Sequence, residues 1–237
     1  MLNVFVAGAT SFTGRAIAHQ NEAAHQVHLR LQVRPSSKND AALGEDKRIV
    51  RVDLDDHAEL CTAMEGCEAV FQLIGTVKAR FADDGDYEQV DYGTTQKLLA
   101  AAKKAGVRHF ILLSSVGAGI GLGRYLTWKK KTEQLVADSG LAYTLVRPSY
   151  LAGDEDFPER SEFINGQAFM TGLSDTPFGA AFATLRPMPI QDLAQAFLHL
   201  VNAGSQKILS GTPLFRFIKN AKLQNIKLQC DDGTNAK

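Results

Sequence analysis

Leu2-Asn3-Val4-Phe5-Val6-Ala7-Gly8-Ala9-Thr10-Ser11-Phe12-Thr13-Gly14 passes from a short apolar run, through a turn of small and hydroxylated residues, into a helical pattern. Leu2 to Ala7 has strand character and Thr13 to Ala24 helical character. The glycines at 8 and 14 bracket the turn between them. The first N–H groups of a helix lack intrahelical partners, and the helix dipole points its positive end the same way. A glycine-rich turn feeding such a terminus is therefore a seat for an anion. Gly8 permits the sharp exit from the strand, and Gly14 lets the helix approach the sheet closely. Thr10, Ser11 and Thr13 add hydroxyl donors beside Phe12. Ser11 holds the middle position of the three-glycine fingerprint. Its Cβ restricts the approach of a pyrophosphate, while its hydroxyl can donate to a phosphate oxygen. The expected occupant of residues 8–14 is the pyrophosphate of a dinucleotide.

Outward from this loop, strand and helix patterns alternate. Val27, Leu29, Leu31 and Val33 mark a second strand, and Ile49 to Leu54 a third. His57 to Met64 reads as a short helix, and Ala69 to Ile74 as a fourth strand closed by Gly75. Tyr87 to Ala105 reads as a long helix stopped by Gly106. Phe110 to Leu113 is a fifth strand, Tyr125 to Asp138 a helix, and Tyr143 to Val146 a sixth strand ended by Pro148. Alternation of this kind predicts βαβ construction, and buried parallel strands explain why most of these runs are apolar throughout. The expected fold class is α/β, a doubly wound parallel sheet of the Rossmann type with a small C-terminal substrate-side region. Beyond Pro148 the pattern weakens. Asp154 to Arg160 reads as a loop, Gln191 to Val201 as a helix, Lys207 to Ser210 as a strand and Pro213 to Lys219 as a helix. The expected organisation is one dinucleotide-binding domain over 1–220, its substrate-side elements mainly within 149–220, and a polar tail over 221–237 that is a candidate for disorder or for a stretch foreign to the natural protein.

Composition narrows the functional classes. The 237 residues carry 26 basic and 26 acidic side chains, so the formal net charge is zero. That removes the electrostatic motive for binding nucleic acid or an anionic membrane surface. Cys61, Cys67 and Cys230 lack the spacing of a zinc or redox pair and suit a reducing cytoplasm. No basic stretch precedes an apolar run at the N-terminus, so no signal peptide is expected. No apolar run is long enough to span a bilayer. The six histidines do not cluster, and Asp83-Asp84-Gly85-Asp86 lacks the remaining ligands of a calcium loop, so no metal is expected.

The end of the second strand bears on cofactor choice. An NAD site usually carries an acid there, bonded to the ribose 2′-hydroxyl. Here the residues are Val33-Arg34-Pro35-Ser36-Ser37-Lys38. Arg34 can stack on adenine and pair with a 2′-phosphate, supported by Lys38. NADP(H) is therefore expected over NAD(H).

Several stretches together resemble the atypical short-chain dehydrogenase/reductase superfamily, in its NmrA-like NAD(P)H-binding branch. They are the loop Gly8 to Gly14, Val52-Asp53-Leu54-Asp55, Leu73-Ile74-Gly75-Thr76, Ala101 to Val107, Leu113-Ser114-Ser115-Val116-Gly117-Ala118, Leu145-Val146-Arg147-Pro148 and Pro187 to Leu193. The resemblance implies that Asp53 and Leu54 flank the adenine. It implies that Ile74, Gly75 and Thr76 line the nicotinamide-side ribose, and that Pro148, Ser149 and Tyr150 approach the nicotinamide ring. Active members of the superfamily use a Tyr and a Lys four residues apart, with a Ser at the end of the fifth strand. Tyr125, Lys129 and Ser115 occupy those places. Residues i and i+4 share a helix face. A nearby ammonium favours the phenolate of a tyrosine, and Lys129 can also hold the ribose. Ser115 would bond the substrate oxygen while Tyr125 moves the proton.

The expectation is an NADPH-dependent oxidoreductase acting on a small carbonyl, quinone or flavin-like acceptor. The alternative is a non-catalytic NAD(P)H-binding redox sensor or assembly subunit, since fold alone does not decide function.

Overall fold

Buried apolar side chains on every residue from Val4 to Ala7 mark a strand covered on both faces. The computed structural model describes residues 1–37, 43, 46–75, 87–153, 156–157 and 187–234. Strand β1 (Asn3–Ala7) is followed by α1 (Phe12–Ala24), β2 (His28–Val33), β3 (Ile49–Arg51), α2 (His57–Met64) and β4 (Ala69–Gln72). A π-helical segment (Tyr87–Gly93) leads directly into α3 (Thr94–Lys104), then β5 (His109–Leu113), α4 (Gly123–Ala137) and β6 (Ala142–Arg147). The chain ends with β7 (Leu151–Ala152), β8 (Met188–Pro189), α5 (Ile190–Ala203), β9 (Lys207–Ser210) and α6 (Gly211–Thr234).

Seven strands form one parallel sheet in the order β3-β2-β1-β4-β5-β6-β9. The chain builds outward from β1 to β3, then returns to the other side of β1 to lay down β4. That reversal leaves a crevice at the C-terminal ends of β1 and β4, the ligand position of doubly wound sheets. Two apolar clusters cover the sheet. On one side Ile17 of α1 and Leu193, Phe197 and Leu200 of α5 pack on Val4, Val6 and Phe71, with the Phe71 and Phe197 rings edge to face at 5.2 Å. On the other, Leu60, Leu98 and Val136 from α2, α3 and α4 pack on Phe5, Val70, Phe110 and Leu112.

Three local readings of the sequence are corrected. The single long helix expected over 87–105 is a π-helical turn followed by an α-helix, which changes the facing of residues 87–93 relative to a continuous α-helix. The short pair β7 and β8, joined in parallel, was not anticipated: each has only two residues, and Pro189 is one of them. The helix expected over 213–219 runs from Gly211 to Thr234, past Ala221. Leu214, Ile218 and Ala221 form its buried stripe, and Lys222 pairs with Asp192 of α5 at 2.5 Å. Most of the loop expected over 154–160, together with the acidic residues 83–86, lies outside the described residues.

Candidate functional site

The turn after β1 is shaped by two glycines. Gly8 has φ +90°, and a Cβ there would lie 3.0 Å from Ile74 Cγ1 and 3.1 Å from Ile74 N, so the loop lies tightly against the end of β4. A Cβ on Gly14 would lie 2.4 Å from Gly8 O and 2.6 Å from Ala9 O. Helix α1 therefore starts as close to the loop backbone as glycine allows. Ser11 is the N-cap of α1. Its Oγ accepts from Gly14 N–H at 3.0 Å, and its own N–H donates to Gly8 O at 3.0 Å. Capping uses a lone pair of the hydroxyl and leaves its hydrogen for an anion, so the residue that departs from the glycine fingerprint both caps the helix and offers a donor. Thr13 is buried, while Thr10 and Phe12 are half-buried, with Phe12 edge-on to Phe157 at 6.1 Å.

Across the crevice, Lys129 of α4 is buried, 7% exposed, and its Nζ lies 2.6 Å from Asp91 Oδ1. A Cβ on Gly75 would lie 2.8 Å from that Nζ, so the ammonium reaches over to the turn that ends β4. Nζ also lies 5.7 Å from the centre of the Tyr125 ring, which meets Tyr87 edge-on at 6.1 Å. Tyr125 and Lys129 therefore share a face of α4, as their spacing predicts. Burial alone would lower the Lys129 pKa. Asp91 above all, with Tyr125 and Glu133, outweighs it and holds the pKa above the ordinary lysine value. One turn further along, Glu133 accepts from Arg147 Nε at 2.8 Å and Nη2 at 2.6 Å. Arg147 Nη1 stands 2.9 Å from where Gly119 would carry a Cβ, which places this pair under the loop between β5 and α4.

The remaining candidates are spread along the C-terminal edge of the sheet. Arg34 is exposed just after β2, in a turn where its carbonyl accepts from Ser37 N–H at 2.9 Å. Asp53 is exposed and accepts from Asp55 N–H at 3.0 Å, while Leu54 packs on the core. Ile74 N–H donates to Gln72 Oε1 at 2.9 Å. The Pro148 carbonyl accepts from Val116 N–H at 2.9 Å, with Ser149 half-buried beside it. Ser115 Oγ donates to the carbonyl of its neighbour Val116 at 3.4 Å. Lys38 and Thr76 lie outside the described residues.

The structure adds Gln72, Asp91 and Thr95, inward-facing polar residues that motif reading missed, and gives Glu133 and Arg147, which lie in or beside the quoted motifs, a role as an ion pair. A signal was present for Asp91. It lies seven residues before the core residue Leu98, and a continuous α-helix over 87–105 would put both on one face, although the π-helical turn sets its actual direction. Ser114 Oγ, next to the chosen Ser115, is buried without a hydrogen-bond partner.

These features suit a dinucleotide: a glycine cradle that a Cβ would fill, a helix terminus whose capping hydroxyl keeps its hydrogen for an anion, and a buried ammonium at the end of β4. Among the described residues no group of His, Cys, Asp and Glu could hold a metal ion, and no helix is long and apolar enough to cross a membrane. Residues 8–174 match the family described as NAD(P)H-binding. An uncharacterised chloroplastic protein of Arabidopsis thaliana is 34% identical over 170 residues, covering 62% of this chain and 52% of that protein. Sanguinarine reductase of Eschscholzia californica is 30% identical over 187 residues, covering 62% and 68%. The chain thus spans between about half and two thirds of the length of these relatives. A Bacillus halodurans structure assigned to the NAD-dependent epimerase/dehydratase group superposes with a TM-score of 0.66, covering 93% of this chain and all of that one at 22% identity, a likeness of fold.

Proposed function

The chain belongs to the NAD(P)H-binding family, and on that premise we propose that it is an NADPH-dependent reductase of small carbonyl, quinone or flavin-like acceptors. One observation carries the reading. The buried Lys129 ammonium reaches the Gly75 turn at the ligand crevice, with the Tyr125 ring beside it. The bound nicotinamide supplies a hydride. Lys129 has three N–H donors, and those not given to Asp91 hold the ribose hydroxyls. Tyr125 gives a proton to the acceptor oxygen as negative charge develops on it, so a carbonyl leaves as an alcohol. Ser115 bonds that same oxygen once its hydroxyl leaves the Val116 carbonyl. Arg34, exposed where an NAD site usually has an acid, favours NADPH by pairing with the 2′-phosphate.

The contact between Ser115 Oγ and Val116 O favours a second reading, a non-catalytic NAD(P)H-binding sensor or assembly subunit. Steady NADPH consumption with a panel of quinones, aldehydes and flavins separates the two. Turnover supports the reductase. Tight NADPH binding with no turnover on any acceptor selects the sensor, and failure to bind either dinucleotide overturns both.

A further inference from the structure

The π-helical segment carries Asp91 inward to a place that its side chain shares with Lys129. The carboxylate is 2% exposed and 2.6 Å from Nζ. A chain of hydrogen bonds ties its backbone to the end of β4. Thr95 Oγ1 donates to the Asp91 carbonyl at 2.6 Å, Gln72 Nε2 donates to Thr95 Oγ1 at 3.0 Å, and Ile74 N–H donates to Gln72 Oε1 at 2.9 Å. The turn at Ile74 and Gly75, the carboxylate and the ammonium are therefore one connected unit.

The titratable groups that act on Lys129 come from two elements. Asp91 comes from the π-helical segment and Tyr125 and Glu133 from its own helix, with Tyr87 behind the Tyr125 ring; Glu133 in turn is paired with Arg147 from the end of β6. Glu133 gives both oxygens to Arg147. The direct counter-charge to Lys129 is thus Asp91. A lysine buried to this degree without such a partner tends to shed its proton, because desolvation penalises the charged form.

We infer that Asp91 is a positioning residue that keeps the Lys129 ammonium aimed at the ligand crevice beside Gly75, so that the donors for the cofactor ribose are formed before the cofactor arrives. This rests on the reading that Lys129 holds the ribose. Asp91 itself need touch neither cofactor nor substrate.

The test is calorimetric binding of NADP(H) to the unmodified protein, Asp91→Asn, Lys129→Met and the double variant, near neutral pH and at about pH 9.5. In the unmodified protein the affinity should change little between the two. In Asp91→Asn it should fall by about tenfold at the higher pH, as the unpartnered lysine loses its proton. In the Lys129→Met background, Asp91→Asn should cause no further loss. A pH-independent loss in Asp91→Asn, or an added loss in the double variant, would overturn the inference and make Asp91 a direct ligand or a purely structural residue. Lys129→Met binding as tightly as the unmodified protein would instead sink the ribose-holder reading, so the two failures are distinct. Should Asp91→Asn not fold, Lys129→Met and the double variant still decide. Removing both members of a buried pair is tolerated far better than removing one. Equal affinities there support the inference, and a weaker double variant overturns it.

Discussion

Replacing Gly14 with alanine adds one methyl group where the geometry leaves no room for it. The new Cβ would sit 2.4 Å from Gly8 O, 2.6 Å from Ala9 O and 2.7 Å from Ala9 Cα, all of them backbone atoms. No side chain can swing aside, so the start of α1 must retreat from the loop by about 1 Å to reach ordinary contact. Overpacking of this kind costs about 1–3 kcal/mol. Alanine recovers up to about 1 kcal/mol over glycine inside a helix. The net loss, up to about 2 kcal/mol, should lower the unfolding midpoint by up to roughly 8 °C in a chain of this size. Dinucleotide affinity should suffer more. A helix terminus displaced by that distance spoils charge-assisted contacts worth about 1.5–3 kcal/mol each, so NADPH binding should weaken at least about tenfold. The assay pairs thermal unfolding with calorimetric titration of NADPH. Gly106→Ala is the control: φ there is +74° and nothing lies within 4 Å of the added atom, so it strains the backbone without touching the crevice. If Gly14→Ala keeps both the unfolding midpoint and the affinity of the unmodified protein, the phosphate seat has been put in the wrong place.

Other outcomes follow from the same geometry. Arg34→Ala should cut the preference for NADPH over NADH by about tenfold, measured by paired titrations, and equal affinities for the two cofactors in the unmodified protein would count against the assignment. Tyr125→Phe should leave NADPH affinity nearly unchanged while reducing turnover by roughly 100-fold or more on whichever acceptor is reduced; undiminished turnover removes Tyr125 from the proton transfer. His109, buried at the start of β5 and 2.9 Å from Thr144 Oγ1, has its pKa pushed down by burial to about 4. It is neutral in the folded state where the unfolded chain would be half protonated near pH 6.5. Stability should therefore fall as the pH drops from about 6.5 to 4, by roughly 2–3 kcal/mol in all. Denaturant unfolding across that range checks it, and a slope that His109→Gln leaves unchanged would assign the effect to other groups.

What could be read along the chain was whatever local physics dictates. The unbroken apolar run over residues 4–7, the glycines at 8 and 14 and the helical pattern behind them announce a buried strand, a tight turn and a helix start, because each is decided within a few residues. The i, i+4 spacing likewise put Tyr125 and Lys129 on one helix face without knowledge of what that face meets. The capping role of Ser11 was hidden, because only the approach of α1 to the loop makes Gly14 N–H its partner.

The sequence by itself thus determined the alternation of elements, the tight glycine turn into α1 and the placing of tyrosine and lysine on one helix face. Only the tertiary structure decided which charges face that lysine. Asp91 and Gly75 are 38 and 54 residues from Lys129 in the chain, and they meet it because the end of β4, the π-helical segment and α4 come together at the C-terminal ends of the central strands. A local pattern carries no information on such an encounter. The sign and stability of a buried charge are set by its neighbours in space, through Coulomb attraction and lost hydration, and those neighbours exist only once the strands have been ordered.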